Sequence, residues 1–456
     1  MKFVFVAFLA AALTKAATPP SKETEALIAM ARNAPPEIFA DSAVKLVESG
    51  RIAGVDAQKS LLESAFVAAS QAHEPIRLIP LPGLGPDNRA SFRGRASELQ
   101  LDALSLEARV LRALLTVDRT LAREKFSSIT RPHLEAQDCK DPLIPDASSY
   151  YQAAGGIAQS SFSADEKKAS AHVQFLIGVL AGVDSTPELA GFLRSIESVE
   201  LSKAELEVLA SSIQAKLDAM PANYRSFGVR IDELAGALDF FAAKLGSQGD
   251  SAVALGASFR KFVVAQMKGP RCKEDLTQAT AFATTMKVKY LGELQPLKDD
   301  EMKPSKRGGE FEAKSYFDAE HSKELAQSLD RLRFHPQGPP YSEEERSTPD
   351  WKALFTSFLS DYRGWNPLGA DIDVLHQRLT VLRWLAEVSP PSVGREVVMQ
   401  ASLAALKFGT ADRESPAEWV WQARSILYSS ASDERVVLDA YRTSNIPALV
   451  LLTILQ

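Results

Sequence analysis

Residues 97–129 decide the fold class, and they read SELQLDALSLEARVLRALLTVDRTLAREKFSSI. The apolar positions advance by steps of three and four residues: Leu99, Ala103, Leu106, Val110, Ala113 and Val117. This spacing places them along one face of an α-helix, because a helix turns once every ~3.6 residues. Asp118 lies where the pattern breaks, and its carboxylate suits the cap of a second helix that continues to Phe126. The segment therefore predicts two consecutive amphipathic helices.

The junction between these two helices resembles one found in a family of repeat proteins. In residues 113–126, ALLTVDRTLAREKF, an Ala- and Leu-rich helix ends near an Asp, and the next helix contributes an Ala and an aromatic residue. Tetratricopeptide-type helical repeats have a similar junction, although they usually carry a proline after the Asp and recur every ~34 residues, and this chain does neither. The resemblance implies stacked antiparallel helix pairs of the α-solenoid type.

The rest of the chain carries the same helical signal. Ser163 and Ser202 each precede a Glu by three residues, which is the spacing of a capping box at the start of a helix. No segment shows two-residue alternation flanked by hairpin turns. The sequence therefore predicts an all-α fold of stacked helix pairs with little or no β-sheet. Helices are predicted over residues 22–33, 36–50, 56–69, 97–129, 148–159, 164–182, 187–198, 203–220, 224–245, 251–267, 276–291, 350–362, 370–388, 393–408, 416–430, 434–443 and 447–455.

Residues 75–94 are rich in Pro and Gly and are predicted to form a loop in which no helix begins. The loop contains Gly83-Leu84-Gly85, but Asn88 stands where a dinucleotide-binding fingerprint has its third glycine. No phosphate-binding turn is therefore predicted there.

The composition divides the chain into four predicted regions. Between residues 298 and 346, 21 of 49 residues are Asp, Glu, Lys or Arg, compared with 24% in the whole chain. We therefore predict a signal peptide over residues 1–17, a helical-repeat region over 18–296, a charged linker containing Pro and Gly over 297–349, and a C-terminal helical region over 350–456. One charged helix is predicted inside the linker, over residues 310–334.

The N-terminal segment has the pattern of a secretory signal. Lys2 precedes an uninterrupted apolar run over residues 3–13, and small residues follow at the predicted cleavage region, residues 14–18. The apolar run is too short to span a bilayer as a helix. The mature chain is therefore expected in the periplasm or outside the cell, with no transmembrane segment.

Cys139 and Cys272 are the two cysteines of the chain. Both follow a break marked by proline and precede a lysine and an acidic residue. In an oxidising compartment we expect them to form one disulfide, whereas in a reducing compartment both would be buried thiols.

Several functional classes are disfavoured by composition and motif. Acidic residues outnumber basic ones 58 to 52, which is the opposite of what nucleic-acid binding requires. The six histidines are scattered, and two cysteines are too few for a thiolate zinc cluster. The chain also lacks a P-loop and a Gly-x-Ser-x-Gly nucleophile motif. No metal, cofactor or catalytic residue is therefore predicted.

Two functional hypotheses remain, and aromatic residues bear on both. Stacked helix pairs leave grooves that bind other chains, so the first is an exported, non-enzymatic interaction or scaffold protein whose partner is a protein or peptide. Tyr150 and Tyr151 are candidates for lining such a groove. The alternative is a carbohydrate-active enzyme or sugar-binding protein on an (α/α) barrel, with Trp365, Trp419 and Trp421 as the aromatic platform. All of these rings are equally suited to core packing.

The arrangement of the helices distinguishes the two hypotheses. An open superhelix favours the interaction protein. A closed ring with Asp or Glu converging beside a tryptophan favours the sugar-binding alternative.

Overall fold

The fold is taken from a computed structural model of the chain, and most of the sequence after the predicted signal peptide is described. Residues 1–17 and the predicted cleavage region lie outside the described residues. The described residues are 22–81, 84–85, 87–134, 137–222, 224–246, 249–272, 275–306, 308–309, 311, 314–389, 394–408, 415–429, 434–444 and 446–454.

The predicted all-α fold is confirmed, since α-helices dominate the described residues, in which the strands form one two-stranded sheet. In chain order the elements are α1 (Lys22–Ala31), α2 (Pro36–Glu48), α3 (Val55–Ala69), β1 (Leu78–Pro80), α4 (Arg89–Ser97), α5 (Ala103–Val117), α6 (Arg119–Phe126), β2 (Leu143–Pro145), α7 (Ser148–Ser160), α8 (Ala164–Lys168), α9 (Ala171–Ala181), α10 (Thr186–Ser195), α11 (Lys203–Ala219), α12 (Tyr224–Leu245), α13 (Asp250–Lys268), α14 (Asp275–Thr285), α15 (Glu320–Arg333), α16 (Pro349–Gly364), α17 (Asp371–Val388), α18 (Gly394–Phe408), α19 (Pro416–Ser429), α20 (Glu434–Arg442) and α21 (Pro447–Ile454).

The predicted caps are confirmed. Asp118 separates α5 from α6, and its Oδ1 accepts a hydrogen bond of 3.0 Å from the backbone N–H of Leu121. Ser163 and Ser202 each form a complete capping box with the Glu three residues later. Each bond satisfies an N–H group that has no partner within the helix, which explains why these helices begin where they do.

The helices of the first two thirds of the chain pack in order. Each of α2, α3, α5, α7, α10, α12 and α14 contacts the next in this row, while α9, α11 and α13 form a second set against α7 and α12. Gly155 lets α7 approach α10 closely, because a Cβ at this position would collide with the backbone oxygen of Ser195. The solenoid-type stacking implied by the resemblance stays a prediction.

The last helices return to the first. Helix α19 packs on α4 and α2, and α21 packs on α1. Helices α17 and α18 pack on each other and on α19. The described C-terminal helices therefore share a core with the N-terminal ones.

The described residues between 297 and 318, which we call the strap, connect the end of the helical row to this junction. The N–H of Leu297 donates to the carbonyl of Ala283 at 3.0 Å, and the N–H of Tyr316 donates to the carbonyl of Asp87 at 3.0 Å. Between these ends, Arg260 of α13 holds Glu301 at 2.9 Å. The strap thus contacts both α13–α14 and the turn before α4.

Several local predictions are wrong in detail. The single helix predicted over residues 164–182 is two helices, α8 and α9, separated at Ser170, which takes a positive φ of 55°. Helix α4 begins inside the predicted loop, because the side chain of Asn88 accepts a 3.0 Å hydrogen bond from the N–H of Ser91 and caps the helix. The helix predicted to reach residue 291 ends at Thr285, where Met286 takes a positive φ of 42°. The charged helix predicted over 310–334 is shorter, spanning Glu320–Arg333.

The sheet joins two identical Leu-Ile-Pro segments. Strands β1 and β2 are antiparallel, with Ile79 opposite Ile144. Each strand has three residues, which is too short to show a two-residue alternation in sequence.

The predicted disulfide is confirmed between Cys139 and Cys272, whose Cα atoms lie 5.3 Å apart. A pair at this distance has the normal geometry of a disulfide. Among the described residues, no helix combines the length and the apolar character needed to cross a membrane.

Candidate functional site

A group of polar side chains from four distant parts of the chain meets at the junction of the first and last helices. We call it the Arg89 cluster: Arg89 from α4, Tyr316 from the strap, Asp373 and His376 from α17, and Glu418 from α19. Asp373 and His376 share one face of α17 because residues three apart are neighbours on a helix.

Arg89 is the centre of the cluster. Its Nη1 pairs with Oε2 of Glu418, and its Nε lies 3.4 Å from Oδ1 of Asp373. The hydroxyl of Tyr316 donates to the same Oδ1. One guanidinium therefore holds two carboxylates from two different helices, and the strap is attached to one of them.

Glu418 and His376 lie on the buried side of the cluster. Burial raises the pKa of the Glu418 carboxyl above its ordinary value, although Arg89 opposes this rise. His376 is fully buried, with its Nε2 3.5 Å from Oε2 of Glu418. Burial, reinforced by the charge of Arg89, holds the pKa of His376 well below its ordinary value. The imidazole is therefore neutral at neutral pH.

A small cleft lies beside the cluster. Its polar lining includes Glu74, Arg77, Arg93, Asp102 and Glu418. The cavity has a volume of about 10 Å³, which is room for about one water molecule.

Glu74 is one of the acids of the cleft whose pKa is raised. Its Oε1 accepts a 2.8 Å hydrogen bond from the N–H of Ala417, at the start of α19. Burial raises the pKa of Glu74 to about 7, and the nearby carboxylates of Glu418 and Glu37 act in the same direction. Groups perturbed in this way occur both in active sites and in structural networks. The bond to Ala417 gives Glu74 a structural role at the junction.

The described residues contain no group of three or more His, Cys, Asp or Glu side chains arranged to hold a metal ion. In the Arg89 cluster itself, the charge of the two carboxylates faces a guanidinium instead.

Four of the five aromatic residues proposed as ligand-facing are core residues. Tyr150 packs on Phe126 with ring centroids 5.1 Å apart, and the hydroxyl of Tyr151 donates to Oε1 of Glu188 at 3.2 Å. Trp365 packs on the buried Phe317 at 6.2 Å, and Nε1 of Trp419 bonds the carbonyl of Leu406 at 3.4 Å. All four side chains are at most 8% exposed, so none presents an open ring face to a groove.

Trp421 differs from these four. It is half-buried on α19 and lies one turn after Glu418. Its ring centroid is 6.5 Å from that of His376, and the guanidinium of Arg95 stands 5.5 Å from the ring. Of the five proposed aromatics, Trp421 is the one that the structure brings to the cluster.

The sequence did not indicate Arg89, Asp373, His376 or Glu418. Arg89 and Glu418 are 329 positions apart, and no local spacing connects them. The one signal in the sequence was Trp421, three residues after Glu418. Its local sequence does not distinguish it from the tryptophans that lie in the core.

Fold and site together define an all-α protein in which a partly buried ionic cluster joins α4 to α17 and α19. None of the protein families, curated proteins or solved structures compared with the chain matches it.

Proposed function

We propose that the chain is an exported interaction protein without catalytic activity, whose partner is another protein. The observation that carries this proposal is the way in which the charged groups of the Arg89 cluster are paired. Its charged groups bind one another across the junction, with Arg89 shared between Asp373 and Glu418. These ion pairs connect the helices to one another. A catalytic acid or base, in contrast, must be accessible to a substrate.

The size of the neighbouring cleft supports a structural role. The cleft beside Glu74 and Glu418 is small, and Glu74 itself is bonded to the start of α19. The raised pKa of Glu74 follows from burial at a helix junction and needs no reaction to explain it.

Apolar side chains on the outside of the helical row provide a candidate binding face. Val208 on α11, Phe240 on α12 and Val253 on α13 are 48%, 45% and 52% exposed. The three helices pack on one another. We call these residues the outer face. A contiguous exposed apolar patch is typical of a protein-binding surface, and we infer that these three side chains form one.

Export is supported by the disulfide and by the N-terminal signal pattern. Disulfides persist in oxidising compartments outside the cytoplasm. The bond between Cys139 and Cys272 is buried and joins two parts of the fold, as a structural disulfide does.

Affinity capture tests the proposal. The chain from Thr18 onward is used as bait on non-reducing extracts of the compartment into which it is exported, and bound proteins are identified by mass spectrometry. We expect a partner that is retained by wild type and lost when Val208, Phe240 and Val253 are each changed to Ser. The control variant, Val55→Ser, changes an apolar side chain that is 59% exposed on α3 and should retain the partner. Equal capture by both variants would show that the outer face is not the surface that binds the partner.

The sugar-binding alternative keeps two observations in its favour: the last helices return to the first, and carboxyl groups converge beside a tryptophan. Trp421 stands beside Glu418 and His376, so an aromatic ring and a carboxyl group lie together. If the chain binds a glycan, Trp421→Ala should abolish binding and Val253→Ser should leave it unchanged. Glycan binding with this dependence, in the absence of a protein partner, would favour the alternative.

A further inference from the structure

We propose that the strap covers the Cys139–Cys272 disulfide, and that the disulfide in turn holds the strap, so that reduction of the bond releases the strap. This conformational device is independent of the proposed partner binding. It rests on how the described residues around Gly308 contact the sulfur atoms and the backbone beside them.

The disulfide is shielded from solvent, and Gly308 lies against it. Cys272 is fully buried and Cys139 is 8% exposed. A Cβ placed on Gly308 would stand 2.5 Å from Sγ of Cys139 and 3.2 Å from the carbonyl oxygen of Arg271. No real side chain fits in that space, so the bare backbone of Gly308 packs directly on the sulfur.

Backbone hydrogen bonds fix the strap to the residues that lead into Cys272. The N–H of Gly308 donates to the carbonyl of Arg271 at 2.6 Å, and the N–H of Arg271 donates to the carbonyl of Lys306 at 2.9 Å. The N–H of Ser305 donates to the carbonyl of Lys268 at 3.0 Å. Arg271 precedes Cys272, so the position of these hydrogen bonds depends on the bond that anchors Cys272 to Cys139.

The other end of the strap is bonded to the turn before α4 and to the Arg89 cluster. The hydroxyl of Ser315 donates to Asp87, and the hydroxyl of Tyr316 donates to Asp373. Beyond Glu301, the described residues of the strap therefore have two attachments, one at the disulfide and one at the junction of the first and last helices. Loss of the first attachment is expected to loosen the residues between them.

Reduction of the bond is a defined reaction that requires access to sulfur. A thiolate of a dithiol reductant attacks one sulfur, and the other leaves as a thiolate and takes up a proton. The second thiol of the reductant then closes a cyclic disulfide and releases the first cysteine. The protein disulfide gains two electrons, and the dithiol supplies them. The attacking thiolate must reach a sulfur atom, so the strap has to open before reduction.

The rate at which dithiothreitol reduces the disulfide tests whether the strap covers it. The folded chain is reduced at increasing reagent concentrations, quenched with iodoacetamide and counted for labelled thiols by mass spectrometry. We expect the rate to reach a plateau, because opening of the strap becomes limiting. A rate that stays proportional to dithiothreitol and equals that of an exposed peptide disulfide would overturn the proposal.

Adjacent glycines provide a matched pair of variants. Gly308→Ala forces the strap away from Sγ of Cys139 and should raise the reduction rate at least tenfold. Gly309→Ala is the control, because a Cβ there meets no atom within 4 Å. Equal rates for the two variants would contradict the cover.

Hydrogen exchange of the wild-type chain tests the second half of the proposal without any variant. After reduction and alkylation, we expect faster exchange in peptides covering residues 303–306 and 314–318, and unchanged exchange in α3. Unchanged exchange in the strap would show that the disulfide does not hold it.

Discussion

Arg89 on α4 and Glu418 on α19 form an ion pair across 329 positions of sequence, and the carboxyl group of Glu418 is the more buried of the two. Asp373 lies on the other side of the same guanidinium. The pair therefore connects three helices that are far apart in the chain. Burying the carboxylate of Glu418 costs desolvation free energy, and this cost is offset only while Arg89 is present.

Replacement of Arg89 is expected to weaken the junction. Arg89→Gln leaves the buried Glu418 without its cation and should lower the free energy of unfolding by about 2 kcal/mol, less than for a fully buried pair because Arg89 is 37% exposed. Arg442→Gln, which breaks an exposed pair with Asp439, should change it by less than about 0.5 kcal/mol. Equilibrium urea unfolding measures both values, and similar small losses would show that the cluster does not fasten the helices.

Stability should depend on pH through Glu74. Its pKa is raised from 4.5 to about 7 in the folded chain. The resulting stabilisation is fully present below about pH 4.5 and is lost as the pH rises through about 7, because the folded state resists ionisation. Glu74→Gln should therefore stabilise the chain by about 2 to 3 kcal/mol near pH 8 and hardly change it near pH 4.

The pH profile of this variant separates Glu74 from His376. The pKa of His376 is depressed, so its contribution has the opposite sign and is lost as the pH falls below its ordinary value of 6.5. Unfolding curves of wild type and Glu74→Gln across this range should differ only on the alkaline side. A constant difference at every pH would mean that folding does not shift the pKa of Glu74.

Two glycines in neighbouring helices should respond in opposite ways to alanine. Gly155→Ala drives a methyl group into the backbone of Ser195 and should cost about 1 to 3 kcal/mol. Gly178→Ala in α9 meets no atom within 4 Å and should gain up to about 1 kcal/mol from helix propensity. Thermal unfolding of both variants checks the contact between α7 and α10, and a stabilised Gly155→Ala would refute it.

The two tryptophans of α19 should also differ. Trp419 is 1% exposed, and Trp419→Ala should cost about 3 to 5 kcal/mol of stability. Trp421 is half-buried at the cluster, so Trp421→Ala should cost clearly less. Equal losses, measured by urea unfolding, would place both rings in the core and remove Trp421 as a surface for a sugar.

Local features of the fold followed from the sequence. The cap at Asp118, the capping boxes at Ser163 and Ser202, and the helical periodicity each involve residues within one or two turns, where spacing determines contact. The disulfide was predicted because two cysteines allow a single intramolecular pairing.

Contacts between distant residues did not follow. The pairing of Ile79 with Ile144 and the ion pair of Arg89 with Glu418 depend on how helices are arranged in space. Helix α4 was not predicted because its cap, Asn88, lies in a Pro- and Gly-rich segment. That composition indicates a loop more strongly than nine residues indicate a helix. Since Arg89 is the first residue of α4, the loop prediction also concealed the centre of the cluster.

The most direct test of the central claim compares two probes in one unfolding experiment. All five tryptophans lie between Trp351 and Trp421, whereas helices are distributed along the whole chain. If the Arg89 cluster fastens the last helices to the first, tryptophan fluorescence and far-UV circular dichroism should show coincident urea transitions in wild type, and they should separate in Arg89→Gln. Separate transitions in wild type would show that the two ends unfold independently. The cluster would then be no fastening, and the case for a non-catalytic protein would lose its main support.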